Sequence, residues 1–139
     1  EQPQAPLPGD APALLLGDAD VPEMTALALA TEPGPWGDWT HRYGNFYGYR
    51  DAAGLQAMAG MRMLPADGFA EVSGVCTWPQ WQGRGYAGQL IRRLMVDLVA
   101  RGDTPFLHSY AHNAHAIRLY ESLGFRARRA MTVTIIRKS

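Results

Sequence analysis

A single cysteine, Cys76, and a single lysine, Lys138, occur in 139 residues. One cysteine excludes an intramolecular disulfide and a cysteine-based zinc cluster, and a reducing cytoplasm is the simplest compartment for it. Neither sign of charge is in surplus, since 13 basic residues face 13 acidic ones. A dedicated nucleic-acid binder usually carries a basic excess, so no nucleic-acid partner is expected. No apolar run approaches the ~18 residues of a membrane span. The N-terminus also lacks the basic-then-apolar layout of a signal peptide, and no membrane partner is expected. The four histidines have no paired spacing on one element, so no metal site is expected.

What is there is globular. Hydrophobic residues make up 47 % and charged residues 19 %, a composition that folds, and the length is that of one domain with a core of its own. Residues 1–12, with Pro3, Pro6, Pro8 and Pro12, read as an extended tail or linker. Residues 13–139 read as a single domain.

Along that domain Ala13–Leu16 fits a strand, and Asp18 or Asp20 fits the cap of a helix with Pro22 in its first turn and Met24, Leu27 and Ala28 on one face. Residues 31–40 are dense in turn formers and carry Trp36 and Trp39, which suits a binding loop. Asn45–Arg50 and Leu55–Leu64 read as strands joined by a hairpin turn, and Phe69–Thr77 as a third. The period then changes: Leu90, Ile91, Leu94, Met95 and Leu98 recur at helical spacing from Gly85 to Arg101, closed by Gly102. Pro105–Tyr110 predicts a strand, Asn113–Leu123 a helix closed by Gly124, and Phe125 and Val133–Ile136 the last strands. Strands and helices interleave as β-α-β-β-β-α-β-α-β, a mixed α/β sheet.

The stretch between the third of these longer strands and the strong helix is rich in glycine: Gly83, Gly85 and Gly88. Such a turn lets backbone approach a ligand, and the free N–H groups of the helix's first turn add an anion site. The plain alternative is a connector. The glycines also spell the dinucleotide fingerprint G-x-G-x-x-G, but that fold needs the motif on its first strand, with further βα units behind it. A dinucleotide-dependent oxidoreductase is disfavoured on that topology.

Gln82-Gly-Arg-Gly85-Tyr-Ala87 resembles the Q/R-x-x-G-x-G/A pattern of the GCN5-related N-acetyltransferases. Asn113-Ala-His-Ala116-Ile-Arg-Leu-Tyr120-Glu-Ser-Leu-Gly124-Phe125 resembles their N-x-x-A-x-x-x-Y-x-x-x-G-F signature, in the customary order and at the customary distance. The stretch from Phe69 to Phe125 resembles the FR47-like branch; the first third of the chain matches only in layout. The resemblance implies a mixed, mostly antiparallel central sheet, flanked by helices and splayed at a cofactor groove. It implies acetyl-CoA as donor, with the pyrophosphate held by main-chain N–H groups of Gln82, Gly83, Arg84, Gly85, Tyr86, Ala87 and Gly88. The strand edge at Val75 and Thr77 would pair with the pantetheine arm as an added strand, Asn113 would bond the arm from the other side, and Tyr120 would stand near the thioester sulfur.

Acetyl transfer to an amine needs a base for the amine, a donor for the oxyanion and a proton for the thiolate. Tyr120 is the candidate acid; the plain reading is a core tyrosine, and the two are compatible. Glu71 is the candidate base, on the expectation that its even spacing from Val75 and Thr77 puts all three on one face. In the histone-acetyltransferase branch the base glutamate stands at a similar distance from the glycine turn. His108 is the other candidate. His112 and His115 read as exposed, and His41 as a loop residue within reach of substrate. Cys76 is expected to alternate away from Glu71 and reads as a small buried residue; nucleophilic catalysis through it would need a nearby base and a lowered pKa. Trp36 and Trp39 read either as a lid on the core or as a wall of the acceptor pocket. Arg126, Arg128 and Arg129 read as a small basic cluster at a solvated strand end, with contact to the CoA 3′-phosphate as the alternative.

The function this implies is N-acetyl transfer from acetyl-CoA to a small-molecule or peptide amine, with a tilt toward an amino-acid-like acceptor from FR47-like relatives. The alternative is a non-catalytic acyl-CoA-binding or sensing module. Assembly partners consistent with this are a second copy of the chain or an acetyltransferase-like half before Glu1.

Overall fold

The computed structural model describes residues 6–134 and 136. Five strands form one sheet: β1 (Leu14–Leu16), β2 (Phe46–Asp51), β3 (Gly54–Met61), β4 (Phe69–Thr77) and β5 (Thr104–Phe106), in the spatial order β1-β2-β3-β4-β5. The first four pair antiparallel and β5 joins β4 in parallel. Helices α1 (Val21–Thr31), α2 (Tyr86–Ala100) and α3 (Ala114–Ser122) complete the frame. This is the mixed, mostly antiparallel sheet expected.

Two cores lie on the two faces of the sheet. On one, Leu90, Ile91, Leu94 and Leu98 of α2, all fully buried, meet Ala57, Ala59 and Met61 of β3 with Ala70 and Val72 of β4. Each such side chain contributes on the order of 1.5–3 kcal/mol by leaving water. On the other, Met24, Leu27 and Ala28 of α1 meet Phe46, Met58 and Cys76. The helix ends follow their glycines. Gly102 and Gly124 take φ of 76° and 93°, and the N–H groups of Asp103 and Phe125 reach back to the Leu98 and Tyr120 carbonyls, the backbone closure that a left-handed residue allows.

Three expectations need correction. Asp20 stands at the N-cap of α1 as expected, but its side chain makes no cap bond; its carboxylate instead accepts the Gly17 N–H at 2.9 Å and an Arg50 N–H at 2.9 Å. The strand at Pro105–Tyr110 shortens to Thr104–Phe106. No strand forms at Phe125 or at Val133, Thr134 and Ile136, and Ile135 lies outside the described residues. Val133 and Ile136 are exposed. Pro105, at the centre of the three-residue β5, has no N–H and makes that strand a poor template for another.

The N-terminal segment packs on α2. Asp10 makes a two-pronged pair with Arg92 at 2.8 and 2.6 Å, and the Ala11 N–H donates to Gln89 Oε1 at 3.1 Å.

Candidate active site

β4 and β5 pair only over Phe69–Glu71 and Thr104–Phe106. Beyond that rung they part. The edge of β4 from Val72 to Thr77 then has no strand partner on that side among the described residues. That is five residue steps, roughly 17 Å of open edge. It leads through a 3₁₀ turn at Pro79–Trp81 into the glycine turn, where Gly83 and Gly85 take φ of 77° and 78°. Side-chain-bearing residues rarely adopt that conformation. Among the described residues, nothing lies within 4 Å of a Cβ built at Gly83, and at Gly85 only the Gln89 amide nitrogen approaches, at 3.5 Å. Gly85 is also the N-cap of α2 and no side chain caps the helix. The first-turn N–H groups therefore lack intrahelical acceptors and face that open space with the positive end of the helix dipole. A backbone cradle for an anion stands at the end of an open strand edge.

The other residues singled out in the motif take distinct places. Gln82 folds back, its amide donating to the Thr77 carbonyl at 3.3 Å. Arg84 lies exposed over the Trp81 ring, 4.5 Å from its centroid. Gly88 is buried beneath α3, where a Cβ would make ordinary contact with Leu119 at 3.4 Å. Tyr86, Val75, Leu119 and Tyr120 are half-buried against the α2-side core, so α3 and the open part of β4 meet the same core edge. Asn113 caps α3, its Oδ1 accepting the Ala116 N–H at 3.1 Å. Tyr120 stacks edge-on with Phe125 at 6.2 Å, and burial pushes its hydroxyl above the ordinary tyrosine range.

Glu71 does not share a face with Val75 and Thr77. Between Cys76↔Met58 and Ser73↔Gly60, β4 advances three residues while β3 advances two. The extra residue makes a bulge at Gly74, which takes φ of 61°, and a one-residue bulge inverts the alternation. Val75 packs on the α2 side. Cys76, expected to alternate away from Glu71, shares its side of the sheet, the side of α1 and Phe46. There Glu71 is 1 % exposed. Arg62 grips it with two bonds, Nε to Oε2 at 3.0 Å and Nη2 to Oε1 at 2.7 Å, and His108 Nδ1 lies 2.8 Å from Oε1. Arg62 was not foreseen. Its signal was the hairpin register: Met61 pairs with Val72, so Arg62 falls opposite Glu71 as an opposite-charge cross-strand pair.

The FR47-like family profile matches residues 46–134, well over half of the chain and inclusive of every element just described from β2 onward. The chain belongs to the FR47-like family, within the GCN5-related N-acetyltransferase (GNAT) superfamily. The crystal structure of a GNAT-family protein from Novosphingobium aromaticivorans is 63 % identical and superimposes with a TM-score of 0.85, covering 91 % of this chain and 56 % of that one. The chain thus spans little more than half the length of that relative. The ribosomal-protein-S18-alanine N-acetyltransferase of Escherichia coli (24 % identical, TM-score 0.72, 85 % of this chain and 79 % of that one) shares the fold. So does the N-acetylglutamate synthase of Neisseria gonorrhoeae complexed with coenzyme A and L-arginine (15 % identical, TM-score 0.63, 77 % of this chain and 26 % of that one). No curated protein matches by sequence.

In this FR47-like domain the remaining candidates separate. Trp36 is built into the α1-side core, edge-on to Phe46 at 5.6 Å with its indole N–H on Thr25 Oγ at 3.1 Å. Trp39 is exposed under the Arg42 guanidinium. His41 pairs with Asp18 at 3.2 Å, and His112 stacks on Tyr110 at the surface. Burial pushes the Cys76 thiol up to about 12, which leaves no thiolate at neutral pH for nucleophilic attack. Among the described residues, no three His, Cys, Asp or Glu side chains gather as a metal site, and no helix is long and apolar enough to cross a membrane.

Proposed function

We propose that this domain transfers an acetyl group from acetyl-CoA directly to an amine, with an amino-acid-like amine as acceptor, in a reducing cytoplasm. The observation that carries the reading is the open edge of β4 ending in the glycine cradle. An amide-bearing pantetheine arm would add to that edge as a strand does, through main-chain hydrogen bonds at Val75 and Thr77. The N–H groups from Gln82 to Gly88 would hold the pyrophosphate, with Arg84 swinging from Trp81 to add charge. Asn113 keeps its amide nitrogen unpartnered among the described residues while its oxygen caps α3, so it can donate to the arm.

Tyr120 would return a proton to the departing thiolate. Its raised hydroxyl keeps that proton through neutral pH, and the oxygen has no hydrogen-bond partner among the described residues to compete for it. A β4 N–H would steady the oxyanion, and Trp36, on the same side of the sheet as Glu71, would wall the acceptor pocket; Trp39 would reach it only from the rim. Tight placement of reacting groups supplies much of the rate in such a direct transfer. The partners in this reading are the amine and, since the chain spans 56 % of its Novosphingobium relative, an acetyltransferase-like half or a second copy.

The test is release of free thiol from acetyl-CoA over a panel of amino acids, peptides and small amines, with the product identified by mass. Amine-dependent thiol release is expected. Tight acetyl-CoA binding with no turnover across the panel would replace this reading with that of an acyl-CoA-binding module.

A further inference from the structure

Resting on the acetyl-transfer reading, we propose that His108 is the base and that Glu71 is a positioning residue acting through it. Glu71 itself is poorly placed to meet an amine. Its side chain is 1 % exposed and both oxygens already accept hydrogen bonds, Oε2 from Arg62 and Oε1 from Arg62 and His108. An approaching amine would have to displace Arg62 first.

His108 has the complementary surroundings. Its side chain is 42 % exposed, and the edge-on Phe106 ring at 5.8 Å limits its rotation. A carboxylate gripped by a guanidinium is an acceptor only, so the 2.8 Å contact requires Nδ1 to donate. The lone pair of the neutral ring is then on Nε2, the ring nitrogen that Glu71 leaves unengaged. A buried carboxylate that sets the tautomer and orientation of a reacting imidazole is an established catalytic layout.

Position agrees with chemistry. Glu71 lies in the last paired rung of β4 and β5, opposite Phe106, and His108 follows two residues later, at the apex where the strands part. An arm laid along the β4 edge from the glycine turn would bring its reacting end to that apex. Nε2 takes the proton that the amine loses as its nitrogen bonds to the thioester carbon. The C–S bond breaks, coenzyme A leaves as thiolate and takes a proton from Tyr120, and solvent restores both side chains. The charged groups facing the imidazole are Glu71 from β4 and, behind it, Arg62 from the end of β3.

The test reads the ring and the reaction separately. In ¹⁵N-histidine spectra of the wild-type protein, the His108 signals, assigned by their loss in His108→Gln, should show the Nδ1–H tautomer of the neutral ring. With acetyl-CoA and an amine that supports turnover, His108→Gln should lower kcat by roughly 10²-fold or more without changing acetyl-CoA affinity. Glu71→Gln should lower kcat less, leave acetyl-CoA affinity unchanged and weaken the Nδ1–H preference of the His108 ring, because the carboxylate that accepts from Nδ1 at 2.8 Å is gone. An Nε2–H tautomer, or turnover by His108→Gln within twofold of wild type, overturns the assignment of the base. Absence of amine-dependent turnover in the wild type overturns the acetyl-transfer reading and this one with it. The wild-type tautomer and the exposed His108 variant stay informative even if the buried Glu71→Gln fails to fold.

Discussion

Gly74→Ala tests whether the bulge shapes the groove. Gly74 stands at φ 61°, where an L side chain costs roughly 1–2 kcal/mol. Its new Cβ would lie 2.8 Å from Phe46 Cε1 and 3.3 Å from Cζ. Phe46 is 1 % exposed and abuts Trp36 edge-on, so the ring has little room to yield, and overpacking of that kind costs about 1–3 kcal/mol. The sum, roughly 2–5 kcal/mol, is a large share of the stability of a domain this size. The strand can relieve it only by expelling the extra residue, which would turn Glu71 toward the face of Val75 and Thr77 and break its pair with Arg62. Urea denaturation should show a lowered midpoint, and calorimetric titration should show weakened acetyl-CoA binding. A variant with the wild-type midpoint and wild-type affinity would refute the assignment of groove geometry to the bulge.

Two further perturbations separate packing from chemistry. Tyr120→Phe removes a hydroxyl without a hydrogen-bond partner among the described residues, so stability should change by less than about 1 kcal/mol. Turnover should fall roughly ten-fold or more with acetyl-CoA affinity unchanged, the pattern of a group that acts in the transition state; parent-rate turnover by a folded variant would make Tyr120 a packing residue only. The Arg92 guanidinium beside Asp10 holds its carboxyl below the usual carboxylate range. Its contribution is therefore complete above the ordinary carboxylate pKa of about 3.9 and is lost as pH falls through the depressed value. Amide exchange at Ala11 should quicken on acidification over that range, and Asp10→Asn should abolish this pH dependence.

Much of the fold was legible because local signals agreed. The spacing of Leu90, Ile91, Leu94 and Leu98 defined the buried face of α2, and Gly102 and Gly124 closed their helices as read. β4 spans Phe69–Thr77, as its β-rich run and flanking glycine implied. The glycine turn was legible for the same reason, since few sequences need two left-handed residues before a helix. What escaped was non-local. A glycine inside a strand marks either a bulge or a close backbone approach, and only the register against β3 and the space Phe46 occupies decide that Gly74 is the bulge. Glu71 was read as reaching the groove because strict alternation was assumed through that bulge. The Arg62 and His108 contacts come from two different strands of chain and needed the register of both. The apolar run near Val133 looked like a strand, but a strand also needs an edge to join, and the sequence of that run says nothing about whether β5 supplies one.

If the open β4 edge and the glycine turn hold acetyl-CoA, calorimetric titration will separate the wild type from Gly85→Glu. In the variant a carboxylate side chain enters the space assigned to the pyrophosphate, where among the described residues the Gln89 amide stands 3.5 Å from the new Cβ, and φ 78° is forced on a side-chain-bearing residue. The wild type should bind with a Kd on the order of micromolar, and the folded variant should show no heat of binding. A wild type that does not bind, or a variant that binds as the wild type does, would mean that acetyl-CoA is not held by this edge and turn.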